Sequence, residues 1–263
     1  MFGGVGARSV AALLLVVLAC LVAPHPALAQ WQWEPTAVDP GAPSSDTQET
    51  AVEPFGLNAV AVTSGEVLSK WTGLVADVRA ESKILDHCRD TTQLCPAAAQ
   101  KFLAVIAEGR AHAGRARIGV VNRAINMAIS PMSDLAQWGV PDRWSAPLAT
   151  LATGHGDCED YAIAKYVALA QAGVAEDDLR LLIVRDLAAG QDHAVAAARL
   201  DGKWIVLDNR WLTLVEDVDM RRVVPLFALD HAGVKEFAPT AMAQARRATT
   251  PDAPASAPAA LGL

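Results

Sequence analysis

The sequence predicts an α+β fold on three observations. Helical periodicity fills the first half of the central region, strand-like runs fill the second, and Asp201-Gly202 offers a two-residue hairpin loop between two of those runs. With 263 residues, 52% of them apolar, the chain is long enough to bury one large core.

The first predicted helix opens at Ser64-Gly65-Glu66. Val67, Trp71, Leu74, Val75 and Val78 then recur at three-to-four spacing and line one face. Residues 97–112 carry Phe102, Leu103 and Ile106 in the same rhythm. Residues 116–129 carry Ile118, Val121, Ile125 and Ile129, and Pro131, which lacks an amide hydrogen, stops that helix. A polar, aromatic loop follows from Ser133 and Asp134 through Trp138 to Asp142 and Trp144. The next helical run begins at Cys158, passes Ile163 and Val167, and closes at Gly173, a suitable C-cap. Residues 179–184, 193–200 and 203–207 read as strands. This order, helices before an antiparallel sheet, makes the folded domain residues 64–240.

The flanks read differently. Residues 1–29 resemble a secretory signal peptide, with Arg8 as the positive end, an apolar stretch at 10–23 and Ala27-Leu28-Ala29 as the cleavage site. A lipoprotein signal ending at Cys20 is the rival reading, which Leu18 fits poorly. An apolar run of about 14 residues falls short of the roughly 20 that a membrane helix needs. Residues 30–63, rich in Pro, Ser, Thr and acids, predict a disordered leader, and the Ala/Pro-rich residues 241–263 a disordered tail. Loss of Arg8 with the signal leaves 21 basic against 29 acidic residues, so nothing suggests a nucleic-acid partner.

Export bears on the cysteines, because disulfides persist outside the cytoplasm. Cys88 and Cys95 lie in a polar stretch between two helical patterns, where a disulfide would close a small loop. Cys158 is then an odd thiol, either reactive or buried and inert. Asp157 is placed to cap the helix that starts at Cys158, with Asp160 three residues on in a capping-box arrangement. The sulfur would sit in the first turn, where unpaired amides and the helix dipole favour a thiolate. Gly154 and Gly156 would let the chain bend there, and the Cys158 amide is a candidate oxyanion donor.

Hairpin register supplies partners. Pairing Leu200 with Lys203 sets His193 opposite Arg210 and Asp208 opposite Val195, so His193 and Asp208 become diagonal neighbours on one face. Nucleophile, base and orienter in this relation suit acyl-transfer chemistry. Taken singly, His193 could be an ordinary strand histidine and Asp208 a turn residue. A zinc site is less well supported, since no Cys-x-x-Cys is present. Asp157, Glu159 and Asp160 crowd the thiol, and unopposed they would disfavour its ionisation. Ca²⁺, which takes oxygen ligands, would answer them; the alternative is that Asp157 is only a cap and Glu159 is solvated.

The run Gly154-His155-Gly156-Asp157-Cys158-Glu159-Asp160-Tyr161-Ala162-Ile163-Ala164-Lys165-Tyr166, followed by His193 and Leu207-Asp208-Asn209, resembles the bacterial transglutaminase-like cysteine proteinases, the LapG family of periplasmic adhesin proteases. Asn122, Asn126, Asp134, Trp138-Gly139, Asp142, Trp144 and Pro147 extend the likeness upstream, and it covers roughly residues 65–235. The resemblance implies a papain-like, transglutaminase-type core with a triad falling on Cys158, His193 and Asp208. It also implies calcium held by acids matching Asp157 and Glu159, and less securely Asp160. The implied substrate is a large surface adhesin, cut near its N-terminus, often at an Ala-Ala bond, so that biofilm disperses. The implied partner is an inner-membrane receptor that senses cyclic di-GMP, and the implied location is the periplasm. This sequence departs from the pattern in the small residues after His193 and in Leu148. Two alternatives stay open: a transglutaminase-type acyl transferase using the same triad, and an inactive binding module.

Overall fold

A computed structural model describes residues 53–90 and 95–238. The predicted signal peptide with Cys20, most of the leader and the tail at 241–263 lie outside the described residues. The helices are α1 (Glu66–Asp90), α2 (Ala97–Arg110), α3 (Gly114–Ala128), α4 (Asp134–Trp138), α5 (Pro147–Thr153) and α6 (Cys158–Gln171). The strands are β1 (Ala59–Ala61), β2 (Ser130–Pro131), β3 (His155–Gly156), β4 (Leu179–Asp186), β5 (Gln191–Leu200), β6 (Lys203–Leu207), β7 (Val215–Glu216), β8 (Val223–Asp230) and β9 (Gly233–Phe237). Seven of them form one antiparallel sheet in the order β1-β9-β8-β4-β5-β6-β7, while β2 and β3 make a short parallel pair. The α+β expectation holds.

Helix α6 is the centre of the packing. Every residue from Asp160 to Gln171 is buried, because the helix lies between the sheet on one side and α2, α3 and α5 on the other. A helix that is buried all round shows no polar stripe. Ile163 and Leu169 are each sealed from solvent, a burial that contributes about 1.5–3 kcal/mol per side chain. Helix α1 covers the far end with Trp71, Leu74, Val78 and Leu85, and Trp71 meets Tyr166 of α6 edge-on at 5.8 Å.

The β5–β6 hairpin keeps the predicted register. Leu200 pairs with Lys203, and the loop residues Asp201 (φ 51°) and Gly202 (φ 78°) both take the positive φ of a type I′ turn. Strand β6 ends at Leu207, however, so Arg210 leaves the ladder and does not face His193, whose ladder partner across β4 is Val184.

The leader boundary at residue 63 is too late. A 3-10 turn at Pro54–Gly56 and strand β1 belong to the fold: Ala59 pairs with Phe237, and Phe55 packs edge-on against Phe237 at 6.0 Å. Phe55, Leu57 and Ala59 alternate toward the core, a short apolar pattern hidden when composition is averaged over a Pro- and Ser-rich stretch. Strands β8 and β9 also escape the sequence reading. Pro225 interrupts β8, and the sheet accommodates it opposite Val184, where the β4–β8 register shifts. Cys88 and Cys95 form the expected disulfide, which leaves Cys158 as the free cysteine among the described residues. Among those residues no helix is long and apolar enough to cross a membrane.

Candidate active site

Two glycines deliver Cys158 to its position, by different means. Gly154 ends α5 in the left-handed region (φ 72°) and turns the chain into β3. Gly156 has an ordinary φ, and its value is space: a Cβ there would lie 2.5 Å from Asp160 Oδ2 and 2.7 Å from Asp160 Cβ. Asp157 occupies the N-cap of α6 but its side chain makes no capping bond, contrary to the sequence expectation. Its Oδ2 instead accepts the amide of Asp134 at 3.2 Å. Cys158 therefore opens α6 with its sulfur in the first turn, as predicted.

Two of the three predicted catalytic residues are in direct contact. His193 and Asp208 are each 5% exposed, and His193 Nε2 lies 3.1 Å from Asp208 Oδ1. That contact leaves Nδ1 as the ring nitrogen for proton exchange. The backbone amide of the next residue on β5, Ala194, lies close enough to Cys158 to favour its thiolate, so the strand that carries the histidine runs beside the thiol. Asp208 follows directly on β6, and its diagonal relation to His193 survives although the ladder stops one residue earlier.

Residues to which the sequence assigned no role secure this end of the site. Arg210 donates from Nη2 to Asp208 Oδ2 at 2.8 Å, from Nε to both carboxylate oxygens at 3.2 Å, and from its backbone amide to Oδ1 at 2.9 Å. Burial alone would raise the Asp208 pKa. Hydrogen bonds from His193 and Arg210 overcome that and hold the carboxyl well below the usual carboxylate range. Asn126 of α3 donates to the carbonyls of Asp208 and Trp211, both at 3.1 Å, and so ties the segment after β6 to the helix. Lys165, fully buried on α6, donates to the Leu207 carbonyl at 3.3 Å. Burial brings its pKa down to about 7 against the pull of the Asp208 charge.

The thiol end behaves differently. Burial pushes the Cys158 thiol up, the Glu159 carboxylate adds repulsion, and the Ala194 amide only partly offsets them. The thiol donates to Glu159 Oε2 at 3.2 Å. Burial and then Asp157 push Glu159 up to about 9. Burial pushes Asp160 up to about 7, even though the Ser145 amide donates to it at 3.0 Å. Asp134, 1% exposed on α4, is raised mainly by burial, while the Arg143 amide donates to its Oδ2.

These acids fit a cation. One oxygen from each of Asp134, Asp157 and Asp160 lies within 4.8 Å of the other two, and Asp134, Asp142 and Glu159 make a second such group. Asp134 Oδ1, Asp157 Oδ1 and Asp160 Oδ2 are buried with no hydrogen-bond partner among the described residues. Oxygen donors without nitrogen or sulfur select a hard cation such as Ca²⁺. The expected set of Asp157, Glu159 and Asp160 is thus rearranged. Asp134 joins both groups and Asp142 joins one, with Glu159, whose side chain also meets Asp157 and Cys158. The sequence offers Asp134 as a loop acid and as part of the family likeness, with no metal role; its convergence on Asp157, 23 residues away, is a tertiary fact.

A family model of the bacterial transglutaminase-like cysteine proteinases matches residues 77–218. Among solved structures, Legionella pneumophila LapG is similar at 21% identity, with a TM-score of 0.50 over 62% of this chain and 91% of that one. A calcium-bound form of the same Legionella protein is similar at 22% identity, with a TM-score of 0.50 over 60% and 88% of the two chains. At such identity the likeness shows a shared fold. No curated protein matches. The family match spans more than half of the chain and includes the helix-start cysteine, the histidine strand and the aspartate after β6: the chain belongs to the bacterial transglutaminase-like cysteine proteinases.

Proposed function

We propose that this protein is a periplasmic, calcium-dependent cysteine endopeptidase in which Cys158 is the nucleophile, His193 the base and Asp208 the orienter. One observation carries the reading: a buried His193–Asp208 hydrogen bond stands on the strand whose next amide reaches the thiol at the start of α6. In the acylation step His193 Nδ1 takes the thiol proton as sulfur attacks a peptide carbonyl, and the Cys158 amide supports the developing oxyanion. The imidazolium then protonates the leaving amine. Water, deprotonated by His193, releases the acyl group and regenerates the thiol. Asp208 keeps the ring in the tautomer and orientation these transfers need.

Asp134, Asp157, Asp160 and Glu159 would hold Ca²⁺, which when bound supplies positive charge beside a thiol that its own neighbours disfavour as an anion. The substrate in this reading is a large surface adhesin cut near its N-terminus, and the regulator is an inner-membrane cyclic di-GMP receptor that sequesters the enzyme. The family likeness and the similarity to Legionella LapG support a protein substrate. The test compares the N-termini of envelope and released proteins in the producing bacterium with and without Cys158→Ala. A large surface protein should lose an internal N-terminus in the variant. If every such terminus persists, the proposed role is wrong. Incubation with a glutamine peptide and a labelled amine separates hydrolysis from amide transfer, since only a transferase incorporates the label.

A further inference from the structure

The geometry points to Arg210 as a positioning residue that fixes the orienter Asp208 and couples it to the turn leading into the histidine strand. This inference rests on the Cys158, His193 and Asp208 reading above. A single carboxylate hydrogen-bonded to one histidine can swing about its side-chain torsions. Asp208 is prevented from doing so, because the Arg210 guanidinium meets both of its oxygens while the Arg210 amide also holds Oδ1, the oxygen that faces His193 Nε2. Planar, two-point contact of this kind is what arginine supplies and lysine does not.

The same guanidinium continues to the other flank of His193. Its Nη1 donates to Asp186 Oδ2 at 2.7 Å, and Asp186 Oδ1 accepts the amides of Ala188 and Ala189 at 2.8 and 3.1 Å in the β4–β5 turn. That turn leads through Gln191 and Asp192 to His193 on β5. Arg210 therefore clamps the two segments that carry base and orienter, one from each side, and adds a side-chain tie to the β5–β6 ladder that already joins them. At 39% exposure the Arg210 side chain is not part of the core, so its loss should leave the fold intact. It touches neither the thiol nor a peptide carbonyl in the mechanism above, which makes it a positioning residue and not a catalytic one.

The test uses the full chain in saturating calcium and reads the rate of Cys158 alkylation by iodoacetamide across pH, by mass spectrometry of the Cys158 peptide. Arg210→Ala should lower the plateau rate about tenfold, within the roughly 10²-fold that misplacing a reacting group can cost. The limb of the pH profile should also move, because the Asp208 carboxylate then faces His193 without its guanidinium partner. Arg210→Lys should recover only part of the plateau. Asp186→Asn, which keeps an oxygen for the turn amides, should cost severalfold, and the double variant should be no slower than Arg210→Ala alone, since both changes break one chain of contacts. Asp208→Asn is the control. If it slows alkylation while Arg210→Ala leaves plateau and limb in place, the inference is overturned and the triad stands. A lowered Tm in Arg210→Ala with unchanged rates would overturn it equally, by marking the clamp as purely structural. If Asp208→Asn has no effect either, the triad reading itself fails.

Discussion

Asp208 and Asp160 are nearly equally sealed from solvent, at 5% and 1% exposure, yet their carboxyl groups are displaced in opposite directions. Asp208 is held well below the usual range, and Asp160 is pushed up to about 7. Burial penalises the charge at both. What differs is the partner. Asp208 faces a guanidinium and an imidazole, while Asp160 faces the backbone amides of Ser145 and Asp157 and two other acids, Asp157 and Asp134. The base end of the site thus pairs its charges within the chain, while the acids around Asp160 form a group that could hold a cation. Glu81 shows that amides do not substitute for a cation: it accepts the Leu148 and Ala149 amides at 2.8 and 3.0 Å, and burial still pushes it up to about 7.

The largest expected effect removes the nucleophile on which both ends converge. Cys158→Ala should lower proteolysis by on the order of 10⁴-fold or more with an unchanged Tm. Substantial residual cleavage would detach the comparison from catalysis. Calcium should act next most strongly, and at the thiol end alone. At a hundred times its Kd it should stabilise the fold by about 2.7 kcal/mol in a thermal melt, and Asp134→Asn should remove most of that gain. A calcium response that survives Asp134→Asn would place the cation elsewhere.

Packing at the thiol end offers a third test. Gly156→Ala drives a methyl group into Asp160, which should cost about 1–3 kcal/mol by denaturant unfolding and weaken calcium binding in a titration. A fully stable variant with full affinity would show that Asp160 can move aside. The smallest effect concerns Glu81. Its folded pKa of about 7 exceeds the ordinary 4.5, so the folded state binds the extra proton between these values, and stability falls as pH rises through that window. Glu81→Gln should flatten the fall in Tm between pH 4.5 and 7; an unchanged slope would assign it to other acids.

The difference between the two ends also explains what could be read in the sequence. Asp201-Gly202 fixes a hairpin of known loop length, so counting along it placed His193 and Asp208 on one face before any contact was known. The nucleophile was legible because its helix start is one contiguous run. The partners that settle the charges were not. Arg210 lies two residues past Asp208 and lost its expected ladder position when β6 stopped at Leu207, and its grip on Asp186 depends on two separate turns. Asp134 and Asp142 reach the thiol end from a short helix and the loop after it. Asp157 had the sequence of a cap and turned its carboxylate to the Asp134 amide instead. Strand β1 was lost in the composition of the segment around it.

The dependence of the thiol on a cation is tested most directly by the rate at which iodoacetamide alkylates Cys158 near neutral pH, with calcium in excess and then with EGTA. We expect alkylation at least about tenfold faster with calcium, corresponding to a thiol pKa lowered by about one unit as the neighbouring carboxylates are neutralised. Equal rates in calcium and EGTA, from protein that is folded in both, would contradict a cation-completed nucleophile.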